Sequence, residues 1–256
     1  MMRIISVLLL SAVLIVSAVS CGKAEKQSEE TAAETASAED YVFDPMAGID
    51  MTAQAIPETA IPDDWKEITD GNIALKVPSD MEGKRIKYAT SDNENYVMFM
   101  GVQEWERYDE SFSDEEYPQL NGENLRNAFA DVGIEFDGSR RDLYRALLET
   151  TSAVRTDENA ESFETIALMK SQVLGNLFPE VFVSETADGP VYVLIFLGAM
   201  TSYTDFKDSY VPGEHTAALV VAFRDENTEC TALIRGSSFD TMMKMASSVR
   251  LAEPLE

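Results

Sequence analysis

Side chains that commonly carry nucleophilic or metal chemistry are scarce in this sequence: His215 is the single histidine, and Cys21 and Cys230 are the two cysteines. A histidine-dependent nucleophile needs a Ser or Cys beside the imidazole and an acid behind it. No Gly-x-Ser-x-Gly elbow occurs, and beyond Ser20 there is no Ser-x-x-Lys. His215 follows Pro212-Gly213-Glu214 and reads as an exposed residue at a strand end. Cys230 alternates with Ala232 and Ile234, the pattern of a core thiol. A reactive thiolate would want positive charge nearby, whereas its neighbours are Glu226 and Glu229. One histidine and one internal cysteine cannot supply an ordinary zinc ligand set, and no metal or cofactor is expected.

Carboxylates are abundant instead, with 46 Asp plus Glu against 20 Lys plus Arg and a formal charge of −26. This balance argues against tracking nucleic-acid phosphates, which needs a basic stripe. Asp92-Asn93-Glu94-Asn95 is oxygen-rich but lacks the alternating acids, glycine and distant Glu of a calcium loop, so it reads as a turn. Glycosidase carboxylates must face each other about 5 to 9 Å apart, and in so acidic a chain no pair stands out. Met98, Met100, Met242, Met243 and Met245 have the spacing of core positions on a strand and a helix.

One segment is distinctive. Residues 104 to 117 read EWERYDESFSDEEY, with seven acids, one arginine and four aromatics. Trp105, Tyr108 and Phe112 stand at i, i+3 and i+7, which predicts a short amphipathic helix with its rings on the core and its acids in water. The functional alternative is an acidic, aromatic surface comprising Glu104, Trp105, Tyr108, Asp109 and Phe112. Such a surface would take a cationic partner or stack on sugar rings of a cell envelope.

The start of the chain supplies an address. After Met1-Met2-Arg3, the run from Ile4 to Ser20 has only Ser6, Ser11, Ser17 and Ser20 as polar residues and stops at Cys21. It is shorter than the roughly 20 residues of a membrane span and reads as a signal peptide, residues 1–20. Ala18-Val19-Ser20-Cys21 resembles the bacterial lipobox, which implies that Cys21 is lipidated and becomes the first residue of the mature chain. Lipidation would place the protein on the outer face of the cell membrane and leave Cys230 with no partner for an intrachain disulfide. Residues 22–64 hold eleven acids and two lysines with no apolar period, and are expected to form a disordered tether reaching roughly 35 Å. The alternative is that Tyr41, Val42, Phe43, Met46, Ile49 and Met51 dock on the domain.

The remaining 65–252 read as one α+β domain. Strands are predicted over 65–69 and 72–77 around Asp70-Gly71, then over 84–90 and 96–103. Helices follow: one capped by Asn121 and stopped by Gly133, one opened by Ser139 with Asp142, and one over 159–176. Strands return over 181–186 and 191–200, the second apolar throughout and therefore buried on both faces. A hairpin over 215–223 and 229–235 leads to a last helix opened by Ser237 with Asp240. One sheet with helices on both faces is the economical arrangement.

IALKVPSDM after the first hairpin, the late hairpin AALVVAFRDENTECTALIRG and a closing helix running into Ser248-Val249-Arg250 together resemble the Mog1/PsbP-like fold group. The likeness covers about 65–103 and 189–251, leaves the helical middle as an insertion, and has Met81 where that group often carries Trp. It implies an α/β/α sandwich on a mostly antiparallel sheet, serving as a binding or assembly scaffold without catalytic residues. The expected function is thus a lipid-anchored, extracytoplasmic module, not an enzyme, that binds a protein or envelope partner. The alternative is a small cell-envelope hydrolase using carboxylates; a two-lobed solute-binding protein would usually need more chain.

Overall fold

Two sheets and four α-helices make up the described residues of the computed structural model, 53–57, 59–174, 180–196 and 213–252, all within one compact unit, Pro45–Glu256. The leader, Cys21 and the docking alternative at 41–51 lie outside the described residues.

Asp70-Gly71 joins β2 (Lys66–Thr69) to β3 (Ile73–Val77) as its sequence predicts. Asp70 Oδ1 accepts from the amides of Asn72 and Ile73, and Gly71 takes φ +94°, where a side chain would be strained. The hairpin does not extend the main sheet, however. It pairs with β11 (Arg250–Leu251) in a three-stranded sheet of order β11-β3-β2, so the expected single sheet is two.

The larger sheet has eight strands in the order β1-β7-β8-β9-β10-β6-β5-β4. The predicted strand over 84–90 is broken at Arg85-Ile86, where Arg85 has φ 57°, into a hairpin of β4 (Glu82–Lys84) and β5 (Lys87–Ala89). β6 (Tyr96–Glu104), β7 (Val181–Thr186), β8 (Gly189–Phe196), β9 (Ala217–Phe223) and β10 (Thr228–Arg235) all pair antiparallel. β1 (Ala53–Ala55) alone is parallel, on the outer edge of β7. This strand falls inside the stretch read as a disordered tether, so the tether reading does not hold for its last residues. Backbone pairing to β7, which polarity patterning does not report, orders them.

β8 occupies the buried place that its apolar run requires: Val191 to Ile195 are at most 3% exposed, and 197–200 of the predicted strand lie outside the described residues. Each such side chain contributes about 1.5–3 kcal/mol relative to exposure, an upper range for area bookkeeping. One face of the sheet, with Val97, Phe99, Val193, Val220, Cys230 and Ile234, packs on the small sheet and on α4 (Phe239–Ser247). The other face, with Tyr192, Leu194, Val221 and Phe223, packs on α1 (Gly122–Asp131) and α2 (Arg140–Glu149), and on α3 (Ala160–Val173) through Ile166, Leu168 and Met169. The architecture is α+β on a mostly antiparallel sheet.

Asn121 and Ser139 cap their helices, accepting from the amides of Asn124 and Asp142. For α4 the cap is Ser238, not Ser237: Ser238 accepts from Thr241, while the Ser237 amide is drawn to Asn95 Oδ1. Met242, Met243 and Met245 are core, whereas Met98 and Met100 are only half-buried.

Candidate functional site

The segment after β6 is a folded loop and not the predicted helix; Trp105 to Leu120 contains no helical turn. Local hydrogen bonding explains why. Asp109 Oδ1 accepts from the amide and hydroxyl of Ser111, and Asp114 Oδ1 accepts from the amides of Glu116 and Tyr117. These turns satisfy the amides that a helix would use, and seven acids in fourteen residues would repel one another along it.

The loop is held at several points. Trp105 N–H donates to Asn227, Tyr108 N–H to Gly138, and Gly122 N–H to Phe112. Gly122 opens α1 where a Cβ would lie 1.5 Å from the carbonyl oxygen of Asp109, so only glycine lets the loop sit this close.

A buried polar cluster lies beneath it. Arg140, at the start of α2, puts Nε 2.5 Å from Glu229 Oε1 on β10, with both side chains at most 7% exposed. Its Nη1 donates to Tyr108 Oη at 2.7 Å, and its backbone N–H donates to Asn227 Oδ1 at 3.0 Å. The guanidinium lies 4.0 Å from the ring centroid of Trp105 and 5.4 Å from that of Tyr144. Burial alone would lower the Arg140 pKa, but Tyr108, Tyr144 and Glu229 outweigh it and hold it above its ordinary value. Burial raises the pKa of Tyr108 and Tyr144, so both hydroxyls remain neutral at physiological pH.

The five candidate partner-binding residues therefore divide. Tyr108 is buried, Phe112 packs edge-on to it at 4.6 Å, and Trp105 is half-buried under Arg140. Tyr108 is unavailable to stack on a sugar. Glu104 and Asp109 are exposed, as are Glu106, Glu110, Glu115 and Glu116. Around Asp109, Glu110, Ser111 and Arg126 the surface forms a shallow, open depression, with Glu110 and Arg126 3.7 Å apart. Hydrogen bonds from Ser111 hold the Asp109 carboxyl below its usual range.

Arg140 and Glu229 had no motif to mark them. The available signal was Glu229 in strand alternation: with Cys230 facing one core, Glu229 must face the other and needs a cation there.

The other candidates stay apart from this cluster. Cys230 is fully buried, and burial pushes its thiol up, away from thiolate chemistry. His215 is half-buried before β9 and not the exposed strand-end residue expected. Asp92 to Asn95 form a turn, with Asp92 Oδ1 accepting from Thr90 and Glu94. Among the described residues no group of three His, Cys, Asp or Glu side chains is placed to hold a metal ion. No described helix is long and apolar enough to cross a membrane.

No protein-family model matches the sequence, and no curated protein is significantly similar to it.

Proposed function

We propose that the chain is a lipid-anchored, extracytoplasmic binding or assembly module without catalytic activity, held by Cys21 on the outer face of the cell membrane. It presents an acidic face, built on the loop after β6, to a cationic partner of the envelope. The single observation that carries the reading is the division of residues 104–117. Its rings are used internally, on Arg140 and the helical core, while six of its seven acids, all but Asp114, stay exposed on a backbone with a set conformation. A pre-ordered charged surface loses little conformational freedom on binding and steers an oppositely charged partner.

The Mog1/PsbP-like likeness is part of the proposal. It is supported by the mostly antiparallel sheet, the closing helix and the place of the helical layer between β6 and β7.

A carboxylate hydrolase would want at least one acid with a raised pKa. Among the described residues the carboxyls that move, Asp92, Asp109, Asp137 and Asp225, all move down.

Two measurements test the proposal. Palmitate labelling should mark the wild-type chain and not Cys21→Ala; equal absence of label from both contradicts the anchor. Crosslinking in intact cells should give a partner band that Glu104→Lys with Asp109→Lys weakens and Glu67→Lys does not. A band insensitive to the loop charges contradicts the acidic face.

A further inference from the structure

The outer edge of β7 carries an inference that does not depend on the acidic face or the anchor. β7 is a six-residue strand, and β1 covers only half of it, pairing Ala53, Gln54 and Ala55 with Val181, Phe182 and Val183. Ile56 N–H donates to Val183 C=O at 3.2 Å, and Ile195 N–H on the opposite side donates to Glu180 C=O. Alternation along the strand then turns the main-chain groups of Val181, Val183 and Glu185 outward. β1 meets the first two, and those of Glu185 lie beyond its end.

The hold of β1 is slight. All three of its side chains are exposed, it is the one parallel strand among the described strands of an otherwise antiparallel sheet, and its partner strand is more than 120 residues away in sequence. Beyond the ladder it is fastened by Gln54 Nε2 donating to Glu180 Oε1 at 3.0 Å and by Ile56, half-buried against the core that contains Phe182. Short exposed edge strands open at low free energy. An edge whose N–H and C=O groups face outward accepts an extended chain.

We infer that the outer edge of β7 is an acceptor for an extended polypeptide segment and that β1 is its removable internal occupant. The segment that fits has the character of β1 itself: it runs parallel to β7, has small residues along the ladder and places an aliphatic side chain where Ile56 sits. A partner segment longer than β1 would also engage the Glu185 end of the edge.

The test uses the full chain, with Gln54→Pro to remove a ladder N–H at an exposed position and Ile56→Asp to remove the apolar hold while keeping the ladder donors. The probe is a labelled peptide of residues 51–58, Met-Thr-Ala-Gln-Ala-Ile-Pro-Glu. An internal segment competes at roughly millimolar effective concentration, so each variant is expected to bind the peptide about tenfold or more tightly than wild type. Amide exchange at Val183 should rise in both variants and fall again at saturating peptide, while exchange in β9 and β10 is unchanged. The same peptide with proline at the Gln54 position should not bind. The inference is overturned if Val183 stays protected in both variants. It is equally overturned if protection is lost and the peptide does not restore it, or if the variants dimerise through β7 and the peptide fails to separate them.

Discussion

The two faces of the eight-stranded sheet are built on different chemistry. The face on the small sheet and α4 has a core of aliphatic, aromatic and methionine side chains, with the Cys230 thiol among them as a small hydrophobe. The face on α1, α2 and α3 encloses Arg140, Glu229, Tyr108, Tyr144 and Tyr192 beside its leucines. Apolar packing rewards burial in many arrangements, whereas a buried ion pair with further hydrogen bonds is satisfied in few. The first face accounts for cohesion. The second ties α2 and the acidic loop to β10, because Arg140 reaches Glu229, Tyr108 and Trp105 together.

Breaking the polar face should have the largest effect. Arg140→Ala leaves Glu229 buried without its cation and is expected to cost about 3–5 kcal/mol in urea unfolding. A cost within experimental error of an exposed substitution would remove the distinction between the faces. On the apolar face, Leu75→Ala opens a cavity and should cost about 2–5 kcal/mol, without altering amide exchange in the loop after β6. Loop exchange that rises equally in both variants would show that any loss of stability loosens it.

Alkaline pH separates the faces further. Tyr108 and Tyr144 have folded pKa values raised by burial above the ordinary 10.0. The unfolded chain therefore ionises first; their contribution is complete below pH 10 and is lost as pH rises toward the folded values. An ultraviolet phenolate titration should show these rings ionising only as the helical layer opens. Smooth titration of every tyrosine near pH 10 would contradict their burial. The smallest effect is expected from Asn121→Ala, about 1 kcal/mol from the loss of one cap, read in thermal unfolding.

The same contrast explains what could be read from sequence. Asp70-Gly71, the apolar run of β8 as far as Phe196, and the caps Asn121 and Ser139 are local signals with local causes, and each stands where predicted. The split of the first hairpin into a second sheet was not legible, because β11 lies more than 170 residues from β3 and two residues of strand leave no pattern. The helical spacing of Trp105, Tyr108 and Phe112 was real and its inference false. Tyr108 and Phe112 do turn toward the core and Trp105 onto Arg140, but Asp109 and Asp114 bend the backbone into turns that reach the same end. Arg140 was hidden for the opposite reason: its type predicts exposure, and only the placement of Glu229 on the far side of β10 requires it inside.

The most direct test is amide exchange across residues 105–112 in a double variant, Arg140→Met with Glu229→Met, which removes both charges and leaves apolar volume in their place. Replacing a whole buried pair is often neutral for stability, so the sheet should keep its protection. If the ion pair positions the loop, Trp105, Tyr108 and Phe112 lose amide protection while β8, β9 and β10 retain theirs. A loop that stays as protected as in the wild type would contradict this and would assign the position of the acidic face to apolar packing alone.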